Sequence, residues 1–131
     1  MRGHDKTITF ELEGMLFEYD EEKNRINIEK HGIAFEHAAR VFFDYNRIEM
    51  YDEENSREED RYDTIGDISI GFTSSIGHIP DTGSSNEEIL FVVYTERVRR
   101  MEDNRNIDVT RIISARYATN FERGLYYGKY D

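Results

Sequence analysis

Ile89-Leu90-Phe91-Val92-Val93-Tyr94-Thr95 decides how the rest of the chain is read. Its first six residues are all apolar and four of its seven are β-branched, a pattern that predicts a strand covered on both faces and therefore central in a sheet. It is also the longest apolar run of the 131 residues, far below the roughly 20 needed to cross a bilayer. Towards the C-terminus, Val109 to Arg116 reads as a second strand. On the other side, Arg61 to Ile70 is a weaker strand. Arg47 to Asp52 alternates, setting Ile48 and Met50 opposite Arg47, Glu49 and Tyr51. Thr7 to Leu12 and Met15 to Tyr19 predict two more strands, joined by a tight turn at Glu13-Gly14.

Helix signals separate cleanly from these. Asp20 is placed to cap a helix over 21–31, with Glu21 and Glu22 in the first turn, where the helix dipole favours carboxylates, and Gly32 as the terminating residue. Phe35, Ala38, Ala39, Phe42 and Phe43 fall at i, i+3, i+4, i+7 and i+8, predicting a second short helix with one apolar stripe. Thr119 and Glu122 form a capping box for a last helix carrying Phe121 and Leu125. Residues 67–88, rich in Gly and Ser and holding the only proline, Pro80, read as a long loop or extended hairpin tip. The expectation is one α+β domain over 1–131: a mainly antiparallel sheet with two N-terminal helices packed on one face and a C-terminal helix.

Composition narrows the chemistry. With no cysteine there is no disulfide, thiolate nucleophile or thiolate metal site, and the cytoplasm is the expected compartment. The amino end lacks the apolar core of a signal peptide, and no membrane association is expected. His31 and His37 stand six apart across a glycine, which is not a helical metal-ligand spacing, so neither a metal nor a cofactor is expected. The net charge of -11 opposes general attraction to nucleic acid. That charge is unevenly spread: Asp44 to Asp63 holds nine carboxylates and three arginines, whereas Arg97 to Arg123 holds seven arginines and four carboxylates. A polyanion responds to the local potential, so the basic end remains a candidate surface.

Two groups of residues stand out there. Lys23, Asn27, Lys30 and His31 share one face of the first helix, either as an ordinary solvated surface or as a cation cluster with an imidazole that exchanges protons near neutrality. Arg111 and Arg116 lie an odd number of positions apart. In a regular strand they point to opposite faces, and a bulge, or an Arg116 lying beyond the strand end, would reconcile them. Set among Ile112, Ile113 and Ala115, such an arginine needs either a carboxylate or a ligand, since an unpaired buried guanidinium is costly.

Read in order, Phe17-Glu18-Tyr19-Asp20, Lys30-His31-Gly32-Ile33 with Phe35-Glu36, Arg61 with Ile65-Gly66, Val92-Val93-Tyr94-Thr95-Glu96 and Arg111-Ile112-Ile113-Ser114-Ala115-Arg116 resemble the BrnT family. The resemblance runs from about Phe17 to Tyr126, apart from the loop. It implies a RelE-like fold and a ribonuclease toxin of a type II toxin–antitoxin system, cleaving RNA without a metal, inhibiting translation and neutralised by a BrnA-like antitoxin. DNA would then be met only indirectly, through that antitoxin. On this footing Arg61, Arg111 and Arg116 bind and polarise the phosphate, Lys30 assists, His31 carries a proton and Ser114 orients the ligand, while Lys23, Asn27, Arg97 and Arg123 hold the substrate. Two other readings stay open: a BrnT-like module that binds protein without cleaving, and an unrelated acid/base enzyme with a deep pocket around His31. Tyr19 stands where the family usually has Trp, and Ala34 where it has a capping hydroxyl, which weakens the start of the second helix by about 1 kcal/mol.

Overall fold

The strand carrying Ile89 is longer than its apolar run. In the computed structural model, which describes residues 6–69 and 88–128, β5 spans Ile89–Arg100 and pairs antiparallel with β6, Asn106–Tyr117. These two form the middle of a six-stranded mixed sheet of order β1-β2-β6-β5-β4-β3. The others are β1 (Thr7–Leu12), β2 (Met15–Asp20), β3 (Ile48–Tyr51) and β4 (Tyr62–Asp67). Their neighbours run antiparallel except for β2 beside β6, which is parallel. The β1–β2 turn places Glu13 at φ 50 and Gly14 at φ 88, the two positive angles that a two-residue hairpin of matching twist requires. Much of the predicted loop, residues 70–87, lies outside the described residues, as does Ile70 at the expected end of β4.

Helix α1 (Glu21–His31) starts as read: the Asp20 carboxylate accepts from the Lys23 amide at 2.9 Å, and Gly32 closes it in the left-handed conformation. The continuous helix expected over 35–43 is instead a single α turn, α2 (Phe35–Ala38), running into a 3₁₀ helix at Ala39–Phe43. Ala34 supplies no side-chain cap to α2, and the Asn24 amide of α1 accepts from the Phe35 N–H at 2.8 Å in its stead. Helix α3 (Asn120–Tyr126) opens with the complete Thr119–Glu122 capping box.

One face of the sheet carries Phe17, Tyr19, Leu90, Val92, Tyr94, Ile112 and Ala115, which pack with Phe35, Ala38, Ala39, Val41 and Phe42 into the main core. The 3₁₀ helix sits very close to β4: a Cβ on Gly66 would lie 3.1 Å from the Val41 Cβ and 3.2 Å from its carbonyl oxygen. Beneath it the fully buried Asp44 carboxylate accepts from the amides of Asn46 and Asp67 and from the Tyr126 hydroxyl at 2.6 Å, tying this segment to β4 and α3. The hydroxyl is pushed well above the usual phenol range by its burial and by that carboxylate.

Candidate functional site

The opposite face is where the predicted arginines gather. Between Val93 and Tyr94 the β5–β6 register shifts, Val93 facing Ser114 and Tyr94 facing Ile112, so Ile113 is an extra residue in β6. Arg111 then faces Thr95 and Arg116 faces Phe91. Thr95 and Phe91 are four apart on one strand and share a side, so the bulge brings both arginines to the same face. Asp63, Val93 and Ser114 form one row straight across β4, β5 and β6. Arg116, Phe91 and Ile65 form a second row on one side of it. On the other side lie Arg111 and Thr95, with Arg61 one residue before the Tyr62–Tyr94 pair and the Asp60 carbonyl accepting from the Thr95 hydroxyl at 2.7 Å. A half-buried Val93 thus stands at the centre of a surface bordered by Arg61, Asp63, Arg111, Ser114 and Arg116.

Each of these arginines already holds an acid. Arg111, 13% exposed, donates to Glu18 at 2.7 Å, and Arg99 donates to the other oxygen of the same carboxylate at 3.0 Å. Arg116 grips Glu122 of α3 with both terminal nitrogens, at 2.9 and 3.0 Å, while its guanidinium stacks 4.2 Å from the centre of the Phe91 ring. Burial pushes the Glu122 carboxyl up, and the hydrogen bonds from Arg116 and Thr119 together with the Arg116 charge outweigh this, leaving it below the usual range. Arg61 and Arg97 share Glu59, at 3.2 and 2.9 Å. A guanidinium held two-point by a carboxylate has the geometry with which it would hold a phosphate, so the Arg116 position is phosphate-shaped and filled from within, whereas Arg111 and Arg61 each meet their acid at one point.

Two carboxyls in this region share a proton. Asp63 hydrogen-bonds Asp52, and burial together with that neighbour raises Asp63 to about 7. Asp52 is also pushed up by burial, but hydrogen bonds from Asn55 and Asp63 outweigh this and hold it low. Among the described residues, four buried side-chain polar atoms lack a hydrogen-bond partner, and two of them, Asp63 Oδ1 and Arg61 Nε, belong to this site.

The predicted α1 residues meet the sheet from the side. Beyond Asp20 strand β2 stops, and α1 runs beside the edge of β6 that is left free; the Asn27 amide accepts from the Ala115 N–H at 3.1 Å and donates to the Ile33 carbonyl at 2.9 Å. Asn27 is the one buried residue of α1, so this side chain, and no apolar stripe, seats the helix on the sheet. Expected as a substrate ligand, it is taken up by backbone on both sides and fixes where its neighbours stand. Lys23, Lys30 and His31 line a cleft of about 230 Å³ with Ile113 and Ser114, and none of the three makes an ion pair among the described residues. Ser114 belongs both to this cleft and to the Val93 row. Arg123 lies in the last turn of α3. No three His, Asp or Glu side chains among the described residues are placed to share a metal ion.

Reading residues one at a time missed Asp63 and the acids Glu18, Glu59 and Glu122. Asp63 did carry a signal: it interrupts the apolar content of a strand that lies next to the central one.

One family description matches the chain, that of the ribonuclease toxin, BrnT, of type II toxin-antitoxin systems, over residues 19–75. Over that stretch the chain is similar to the BrnT family. Lys23, Asn27, Lys30, His31, Arg61 and Asp63 fall inside the matched stretch, whereas Arg97, Arg111, Ser114, Arg116 and Arg123 lie beyond it, joined to it by the strand pairing described above. No curated protein matches the chain. No helix among the described residues is long and apolar enough to cross a membrane.

Proposed function

We propose that this chain is a RelE-like ribonuclease toxin of a type II toxin–antitoxin pair, acting in the cytoplasm to inhibit translation by metal-independent cleavage of RNA, and neutralised by a BrnA-like antitoxin. The observation that carries this reading is the bulge at Ile113, which puts Arg111 and Arg116 on one face around Val93 together with Arg61. In the reaction the ribose 2'-oxygen attacks the adjacent phosphorus while guanidinium groups orient the phosphate and stabilise its growing negative charge. The phosphate takes over the two-point contact that Glu122 makes with Arg116 and the single contact that Glu18 makes with Arg111. Lys30 and Lys23 add positive potential from the α1 side, Ser114 orients the ligand, and His31 takes the proton from the 2'-hydroxyl.

Purified chain incubated with total RNA tests this. Cleavage by the wild type that is lost in Arg111→Met and Arg116→Met, with the fold intact by circular dichroism, supports the reading. Stable RNA under all conditions contradicts it. A second reading, a BrnT-like module that binds protein without cleaving, is favoured by the acid already paired with every arginine around Val93, and stable RNA together with retained antitoxin binding would establish it.

A further inference from the structure

We propose that Asp63 is a catalytic residue of the same site, the group that gives a proton to the departing 5'-oxygen; this rests on the ribonuclease reading. Two observations of placement carry it. Asp63 and Ser114 end the row that crosses Val93, so a phosphate over Val93 has Asp63 on its β4 flank and the His31 cleft on its β6 flank. Proton carriers on opposite flanks are what an in-line displacement needs, because the attacking and leaving oxygens stand on opposite sides of phosphorus. Asp63 Oδ1 is also shielded from water without a hydrogen-bond partner, an arrangement that leaves the ionised carboxylate poorly solvated and so favours its protonated form.

The charged groups facing Asp63 are Asp52 from the β3–β4 hairpin, Arg116 from β6 and Glu122 from α3, with Arg61 acting on Asp52; β3 and β5 present Met50 and Val93. Burial and Asp52 favour the protonated form, Arg116 opposes it, and the balance leaves Asp63 at about 7. In the step itself, the 2'-oxygen bonds to phosphorus and the P–O5' bond breaks. His31 accepts the 2'-hydroxyl proton, and Asp63 passes its own proton to O5'. Exchange with solvent water then resets both groups. The products are a 2',3'-cyclic phosphate and a 5'-hydroxyl, with no other reactant consumed.

The test compares two oligoribonucleotides of one cleavable sequence, the second with sulfur in place of the bridging 5'-oxygen, a leaving atom that needs no proton. Asp63→Asn is expected to slow the oxygen substrate by about 10²-fold or more, to abolish the fall in rate above pH about 7, and to cleave the sulfur substrate at nearly the wild-type rate. Asp52→Asn, which removes the neighbouring charge and leaves an amide to hydrogen-bond the ionised Asp63, is expected to shift that fall to lower pH. Equal slowing on both substrates, or no slowing, overturns the role of Asp63. If Asp63→Asn does not fold, an unmoved pH profile in Asp52→Asn overturns it. Absence of cleavage by the wild type rejects the ribonuclease reading itself and this role with it, whereas cleavage indifferent to Asp63 rejects this role alone.

Discussion

Arg111 and Arg116 are five positions apart yet lie on the same face of the sheet, because Ile113 is an extra residue in β6 opposite the Val93–Tyr94 step of β5. Around that one irregularity, charges from β2, β4, β6 and α3 meet: Glu18, Asp63, Arg111, Arg116 and Glu122.

Glu18 is the balance point for two guanidiniums. Its side chain is 10% exposed, so Glu18→Gln leaves Arg99 and Arg111 facing each other with no counter-charge. The variant is expected to lose about 2–4 kcal/mol of stability, measured by urea unfolding. At low salt it should bind RNA more tightly than wild type, with a steeper salt dependence in a filter-binding titration.

Asn27 offers a structural counterpart. Asn27→Ala leaves the Ile33 carbonyl and the Ala115 N–H without their partner and frees the only buried side chain of α1. A loss of about 2–4 kcal/mol is expected, since each abandoned buried polar group costs 1–3 kcal/mol. Hydrogen exchange should then show α1 opening ahead of the β5–β6 pair.

Gly66 is needed for space and not for conformation. Gly66→Ala places a methyl against Val41 Cβ and the Val41 carbonyl, contacts of 3.1 and 3.2 Å that neither backbone can easily relax. Thermal unfolding should report about 1–3 kcal/mol of destabilisation, whereas Gly14→Ala meets no neighbour and is opposed only by its positive φ.

Asp63 makes stability depend on pH in a direction opposite to that of an ordinary salt-bridged carboxylate. Its native value of about 7 stands above the ordinary 3.8, so between these values the unfolded chain has released a proton that the native protein retains. Stability contributed by this group is therefore complete below pH about 4, falls as pH rises, and levels off above about 7. Urea midpoints across this range should show that fall in the wild type and a flatter profile in Asp63→Asn, which should be the more stable of the two at pH 8.

How much of this was legible in the sequence varies with the distance over which each feature is determined. The β5 strand was plain because six apolar residues in a row have few other uses. Its continuation through Glu96–Arg100, and that of β6 through Asn106–Asp108, was not, since those segments are mostly charged or polar, with Val98 and Ile107 their only apolar residues. The apolar spacing over 35–43 was real, but it does not distinguish an α-helix from a turn that passes into 3₁₀ geometry. For Arg111 and Arg116 the odd spacing posed the right question. Nothing in Ile112-Ile113-Ser114 answers it, because a bulge is set by the partner strand. Glu18 was out of reach because it lies 93 residues from Arg111 and the chain between them has to fold before they are neighbours, whereas Glu122, six residues from Arg116, was legible as a capping residue but not as that arginine's partner.

The central claim is that an RNA phosphate sits over Val93. It is tested most directly by titrating the labelled protein with an RNA oligonucleotide made uncleavable by a 2'-deoxy substitution and recording backbone-amide and arginine Nε–H resonances. Saturable shifts at Val93, Thr95, Ser114, Arg111 and Arg116 are predicted, weakening as salt is raised. Shifts confined to other surfaces, such as the β1 edge or the exposed face of α1, with these five unmoved, would contradict the account.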